Sequence, residues 1–150
     1  MKQLGIIISS LDNNQLAFFS ILNANLLIQK EIDCVLFFEN TSRPVIKPNV
    51  SIMNSSEVWD FCGDVIATTL RSAACLPKLI RARRRIFYLW DLEFLRPYGR
   101  NYIPNMELLR NPKIELAARS ESHKRAIENY CNKQVSYVID DCDFSKIMEA

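Results

Sequence analysis

Gly63–Arg96 reads GDVIATTLRSAACLPKLIRARRRIFYLWDLEFLR, and its pattern is strand, helix, strand. Asp64 to Thr68 is a short apolar run that ends in hydroxylated residues. Leu70, Ala73, Ala74, Leu76, Leu79 and Ile80 then recur at helical spacing, and Ile86 to Trp90 is a second apolar run that stops at Asp91. Two almost unbroken apolar strands joined by a helix make a βαβ unit, whose strands run parallel and are buried on both faces. In open α/β sheets of this kind, ligands sit outside the carboxyl ends of the strands. Here those ends are Thr68-Thr69 and Asp91-Leu92-Glu93.

Working outward, the same alternation continues in both directions. Leu4–Ser9 is expected as the first strand. A helix follows, capped by Asp12 or Asn13 and running to about Lys30, with an inward stripe of Leu16, Phe19, Leu22, Leu26 and Leu27. Cys34–Phe38 and Val50–Met53 read as strands on either side of a proline-bearing loop, and Asn54 with Glu57 reads as a capping box. Beyond the central unit, Arg96–Pro104 is irregular and Met106–Arg110 a helical turn. Ile114–Ala118 is a strand, and Ser120 caps a helix that turns Ala126, Ile127 and Tyr130 inward. Val135–Ile139 is the last strand and Phe144–Met148 a final turn of helix. The expected fold is a single α/β domain over residues 1–150: one doubly wound, mostly parallel, Rossmann-like sheet of about six or seven strands with helices on both faces.

Composition narrows the function classes. Apolar residues make up 49% and charged residues 24% of the 150, a globular balance. A net charge of +2 supplies no broad field for nucleic acid or an anionic membrane, so nucleic acid is a disfavoured partner. No apolar run approaches the ~20 residues needed to span a bilayer, and the expectation is a soluble, cytoplasmic protein. The five cysteines form no CxxC pair and fall mostly in apolar runs, so they are expected free and reduced.

The first turn, Ser9-Ser10-Leu11-Asp12-Asn13-Asn14, has no glycine, and the whole chain has three. Without glycine there, the backbone cannot approach a pyrophosphate closely, which disfavours a Rossmann dehydrogenase or a P-loop NTPase. The hydroxyls and amides of Ser10, Asp12 and Asn13 remain able to hold a sugar or phosphate, or simply to cap the helix. Asp91 and Glu93 are paired carboxylates suited to general acid–base work or to binding a metal, on one side of the chain if the strand continues through them; otherwise Asp91 caps the following turn and Glu93 sits in solvent. His123 is the only histidine, beside Arg119, Ser120 and Ser122 at a helix start: a base, an anion site or a plain cap. The run Lys78, Arg81, Arg83, Arg84, Arg85 lies at the opposite edge and reads as a solvated helix C-terminus, with a binding patch for a partner or an acidic polymer as the alternative. No zinc spacing, calcium loop or Ser/His/Asp order is present, and no metal is expected.

Four segments together, GDVIATTLRSAACL, RRRIFYLWDLEFL, IELAARSESHKRAIENY and VSYVIDDCDFSKI, resemble the N-terminal, acceptor-side domain of GT-B glycosyltransferases over about residues 60 to 145. The resembling features are a hydroxylated turn and helix after a buried strand (Val65 to Ala74), a strand ending in an aromatic and an aspartate (Tyr88 to Glu93), a strand and helix over Leu116 to His123, and the turn Asp140-Asp141-Cys142-Asp143, where the family has an Asn-Gly turn leading to its second domain. The resemblance implies sugar transfer, with a sugar or glycan acceptor at the carboxyl edge near Ser10, Asp12, Asn13, Thr69, Arg71, Glu93, Arg119 and Ser120. Asp91 would be the general base and His123 the second catalytic candidate. It implies no cofactor held by this domain, since the nucleotide-sugar donor would come through a partner domain, a separate subunit or a second copy. A non-catalytic binding or regulatory module is the alternative. The loop residues Trp90, Leu92, Phe94 and Leu95, with Tyr98, Tyr102 and Ile103, are expected either to form a partner or homodimer interface or to fold back over the sheet.

Overall fold

The computed structural model describes residues 1–12, 14–95 and 102–149. Its centre is one seven-stranded sheet made of β1 (Lys2–Ile8), β2 (Ile32–Phe38), β3 (Ser51–Asn54), β4 (Asp64–Ala67), β5 (Arg84–Leu89), β6 (Glu115–Ala118) and β7 (Tyr137–Val138). Every pairing is parallel, and the order is β3-β2-β1-β4-β5-β6-β7. The winding direction reverses between β1 and β4, which makes their carboxyl ends the topological switch point. The fold is the Rossmann-like α/β fold expected from the Gly63–Arg96 pattern.

Strand alternation builds two cores. Leu4, Ile6 and Ile8 of β1, with Leu36, Ile66, Ile86 and Tyr88, face α1 (Gln15–Leu27) and α5 (Ser145–Glu149). Ile7, Phe37, Val65, Ala67, Phe87 and Leu89 face the other way, toward α2 (Leu70–Ala73), α3 (Tyr102–Leu109), α4 (Glu121–Cys131) and a 3-10 turn at Ser55–Asp60. Every residue of β4 is buried, as is β5 from Ile86 to Leu89, because helices cover both faces of a parallel sheet. Edge strand β3 is exposed along its whole length.

Several local expectations are corrected. The cap of α1 is Asn14, whose Oδ1 accepts from Ala17 N at 2.8 Å, rather than Asp12; Asn13 lies outside the described residues. The buried face of α1 is Ala17, Ser20, Ile21, Ala24 and Leu27, while Leu22 and Leu26 are exposed. This helix has apolar residues on every side, so periodicity does not say which side meets the sheet. The helix expected from Leu70 to Ile80 stops at Ala73 and continues as a 3-10 turn over Leu76–Lys78. Pro77 brings no N–H, and its ring would clash with the Ala73 carbonyl of a continuing helix; Ala74 and Ile80 consequently face solvent. Asn54 accepts from Ser56 N at 3.0 Å, a simple cap without a reciprocal bond from Glu57. In α4, Ile127 is buried as expected, but Tyr130 is 49% exposed and Cys131 takes the inner position.

The basic run is only in part a solvated helix end: Lys78 and Arg81 are exposed, but the arginines that follow are tied into the sheet. Arg84 and Arg85 lie in β5, and Asp64 is the register partner of Arg84 on β4. Asp64 is fully buried and accepts from Arg83 Nε at 2.8 Å, Arg83 Nη2 at 2.5 Å and Arg84 Nη2 at 2.7 Å. Arg84 also reaches the Tyr137 hydroxyl and the Ile147 carbonyl, while Arg85 holds the Leu79 carbonyl. These arginines tie β4, β5, β7 and α5 together at the amino edge. Of the loop residues, Phe94 is wholly buried, and Leu92 and Leu95 pack against the core. Trp90 packs on Phe19 and Tyr88. This loop therefore folds back over the sheet. Tyr98 lies outside the described residues, and Tyr102 and Ile103 are exposed on α3. Among the described residues, no helix is long and apolar enough to cross a membrane.

Candidate functional site

The carboxyl edge is assembled from the turns after β1, β4, β5, β6 and β7. After β1, the polar groups close on one another: Ser10 Oγ donates to Asp12 Oδ1 at 2.7 Å, and Asn14 caps α1. Across the switch point, buried Thr68 Oγ1 donates to the Ile7 carbonyl at 2.7 Å and ties β4 to β1. Thr69 and Ser72 form a reciprocal capping box at the start of α2. Glu93 Oε2 accepts from Leu70 N at 3.1 Å, so a carboxylate already occupies that helix start. Arg71 meets Glu39 Oε2 at 3.5 Å. Thr69, Arg71 and Glu93 thus gather around one turn, with two of the three committed to holding it.

After β5 the strand has ended by Leu89, so alternation does not extend through Asp91 and Glu93. Asp91 Oδ1 accepts from the N–H of the next residue, Leu92, at 2.8 Å. Glu93 belongs to a 3-10 turn, Glu93–Leu95, and is aimed at α2. Strand alternation therefore does not set the two carboxylates side by side.

The other residues do converge. Arg119, Ser120 and His123 share a cavity of about 360 Å³ with Asp140 and Asp141, between the ends of β6 and β7. Ser120 caps α4, its Oγ accepting from His123 N at 3.2 Å. That bond holds the histidine backbone and leaves the ring to the cavity. His123 Nδ1 is buried and has no hydrogen-bond partner among the described residues. Arg119 lies over the Trp90 ring, 3.9 Å from its centroid, which fixes the cation beside the cavity. Asp140 is paired with Lys146 at 3.4 Å. Asp141 has a left-handed backbone, φ 45°, a conformation that aspartate tolerates better than most residues. Its carbonyl accepts from Asn23 Nδ2 at 2.7 Å.

Tyr88 holds this turn from beneath. Its hydroxyl donates to the Ile139 carbonyl at 2.7 Å and accepts from Cys142 N at 3.4 Å. Burial pushes the phenol far above its ordinary value, so it stays a donor at any physiological pH. Asp140 and Asp141 are the functional candidates that sequence reasoning missed. They were read as a connecting turn, although they follow the last strand and so had to reach the same edge as His123. A larger hollow of about 750 Å³ lies at the opposite, amino edge, beside β2 and β3, and none of the candidate residues lines it. Among the described residues, no group of three or more His, Cys, Asp or Glu side chains is placed to hold a metal ion.

The cavity is lined by an imidazole, a cation held over an indole ring, two carboxylates and a hydroxyl. Such a set can hydrogen-bond hydroxyl groups, because carboxylates accept from them while arginine donates to them. No protein-family model matches the chain, and no curated protein is significantly similar to it.

Proposed function

We propose that this chain is the acceptor-side half of a glycosyltransferase resembling the GT-B enzymes, and that it binds a sugar or glycan acceptor in the His123 cavity. The observation that carries the reading is the convergence of Arg119, Ser120, His123, Asp140 and Asp141 at the carboxyl edge of a parallel sheet. In the transfer step an acceptor oxygen bonds to the anomeric carbon of the donor as the bond to the nucleotide breaks. The hydroxyl proton passes to a base, which we assign to the His123 imidazole, a residue that lines the cavity. Asp91 is the second base candidate. Asp140, Asp141 and Arg119 orient the other acceptor hydroxyls.

The donor's phosphates need a surface elsewhere: a second domain, a separate subunit or another copy. Here the amino ends of α1 and α2 are capped by Asn14 and Thr69, and Glu93 adds negative charge at the second. A phosphate is repelled where a carboxylate already sits. This same self-capping favours the alternative, a binding module without chemistry, so the two readings must be separated by experiment.

His123 is the only histidine, so its ring proton resonances report on the cavity without ambiguity. Titration with a panel of monosaccharides and disaccharides should shift them, and Arg119→Ala or Asp141→Asn should weaken binding about tenfold, the effect of one good hydrogen bond to a charged group. A panel in which no saccharide moves the resonances overturns the proposal. With a donor-binding partner present, His123→Gln should reduce transfer about 100-fold or more. Saccharide binding without transfer in any assembly would select the binding module.

A further inference from the structure

We propose that a second hollow, between Glu39 and Trp59, binds the vicinal diol of a small ring, either the ribose of a nucleoside or a monosaccharide. It is lined by residues other than those of the His123 cavity, and nothing in its derivation rests on the glycosyltransferase reading.

Glu39 follows directly on β2, and its N–H donates to the Ile8 carbonyl at 3.1 Å, so it stands beside the switch point between β1 and β4. Its side chain is only 14% exposed. Oε2 faces Arg71, but Oε1 is buried with no hydrogen-bond partner among the described residues. A carboxylate oxygen withdrawn from water calls for a donor. Glu39 is one of the residues lining a hollow of about 280 Å³, to which Ile7 and Val58 contribute apolar surface and Ser55 and Ser56 contribute polar groups. Trp59 also lines it and remains 46% exposed, an aromatic face with room for a partner.

Charge selects the ligand class. Glu39 disfavours a phosphate, and Arg71 already supplies a counter-charge, so an ammonium ion is not required. A neutral donor fits both conditions, and adjacent hydroxyls on one ring can both donate to one carboxylate. In dinucleotide-binding Rossmann domains a carboxylate roughly 20 residues beyond the first turn hydrogen-bonds a ribose hydroxyl, which is a precedent for this chemistry. The first turn lacks the glycines that would admit a diphosphate, which points to a ligand without one. The hollow is small beside typical ligand pockets, in keeping with a single ring and a stacking partner.

The test uses the full chain and follows the Trp59 indole resonance and emission, with Trp59→Phe assigning the signal. One arm compares adenosine and uridine with 2′,3′-dideoxyadenosine. The other compares methyl glucoside and methyl mannoside with 2-(hydroxymethyl)tetrahydropyran, which keeps the ring and lacks the ring hydroxyls. A saturable shift with the nucleosides alone identifies ribose as the source, and one with the glycosides alone identifies a monosaccharide. In either case loss of the diol, or Glu39→Gln, should weaken binding at least tenfold. The proposal fails if neither arm responds at about 10 mM, well above a weak millimolar Kd. It also fails if the diol-free analogues bind equally, or if folded Glu39→Gln binds as well as the natural chain. Because the analogue comparison uses the unaltered protein, it stands even if Glu39→Gln does not fold. The His123 resonances serve as the control that keeps this result separate from the other cavity.

Discussion

Asp64→Asn is the most informative single change, because one buried carboxylate joins two arginines at the amino edge. Asp64 has no exposed surface and accepts three charge-assisted bonds, two from Arg83 and one from Arg84. Burial alone would push this carboxyl up, but hydrogen bonds from Arg83 and Arg84, with their charges, outweigh it and hold it below the ordinary aspartate value. Removing one partner of a buried ion pair typically costs about 3–5 kcal/mol. Arg83 is 58% exposed and can turn into water, so its share is small. Arg84 is 22% exposed and has the Tyr137 hydroxyl and the Ile147 carbonyl to fall back on. The expected loss is therefore at the low end, about 3 kcal/mol. For a chain of this size that is a fall of about 6–12 °C in Tm. Urea denaturation at neutral pH measures it, with Arg83→Lys and Arg84→Lys alongside; the second should cost more. A depressed folded-state pKa means that the stabilisation is present above the unfolded value, about 3.9, and is lost as pH falls through the folded one. The gap between the natural chain and Asp64→Asn should therefore be flat near neutrality and narrow below about pH 4. A loss under about 1 kcal/mol, the level of an exposed pair, or a gap that widens in acid would refute the reasoning.

Gly63→Ala should destabilise by about 1–3 kcal/mol, because a Cβ there would lie 2.5 Å from the Gln3 carbonyl oxygen, a backbone atom that cannot move aside; urea midpoints for Gly63→Ala and Gly5→Ala should rank the first as the more damaging, since the Gly5 methyl meets only side chains. Thiol titration should find one fast-reacting cysteine in the native protein, exposed Cys62, and five after unfolding. Cys34 and Cys142 should be the slowest, because burial pushes both up to about 12; a native count of three fast thiols, or fewer than five on unfolding, would refute the assignment.

The candidate site was legible in part. Ser120, His123 and Arg119 follow a clear strand and open a clear helix, so their place at the carboxyl edge was readable from spacing alone. Their company was not. Asp140 and Asp141 join them because β7 lies beside β6, and strand order is a property of the sheet. Glu39 was passed over because a lone glutamate after a strand is ordinary in sequence; only the folded chain withdraws its oxygen from solvent. The alternation that would set Asp91 and Glu93 on one side needed the strand to run on past Leu89, and an aromatic such as Trp90 suits a strand and a bend equally well.

The sequence by itself determined the class of fold. Unbroken apolar runs such as Ile86–Leu89 can be satisfied only where both faces are covered, and helical spacing between them dictates parallel crossovers. It also determined the cap at Ser120, since a short side-chain oxygen before a helix acts within a few residues. The tertiary structure alone decided the order of the seven strands, the buried face of α1 and the partners of the arginine run. A helix apolar on every side carries no moment to orient it, and long cationic side chains take their meaning from whatever charge packing places within reach. Asp64 and Arg83 are 19 residues apart in the chain and 2.8 Å apart in the fold, and the pairing of β4 with β5 makes that difference.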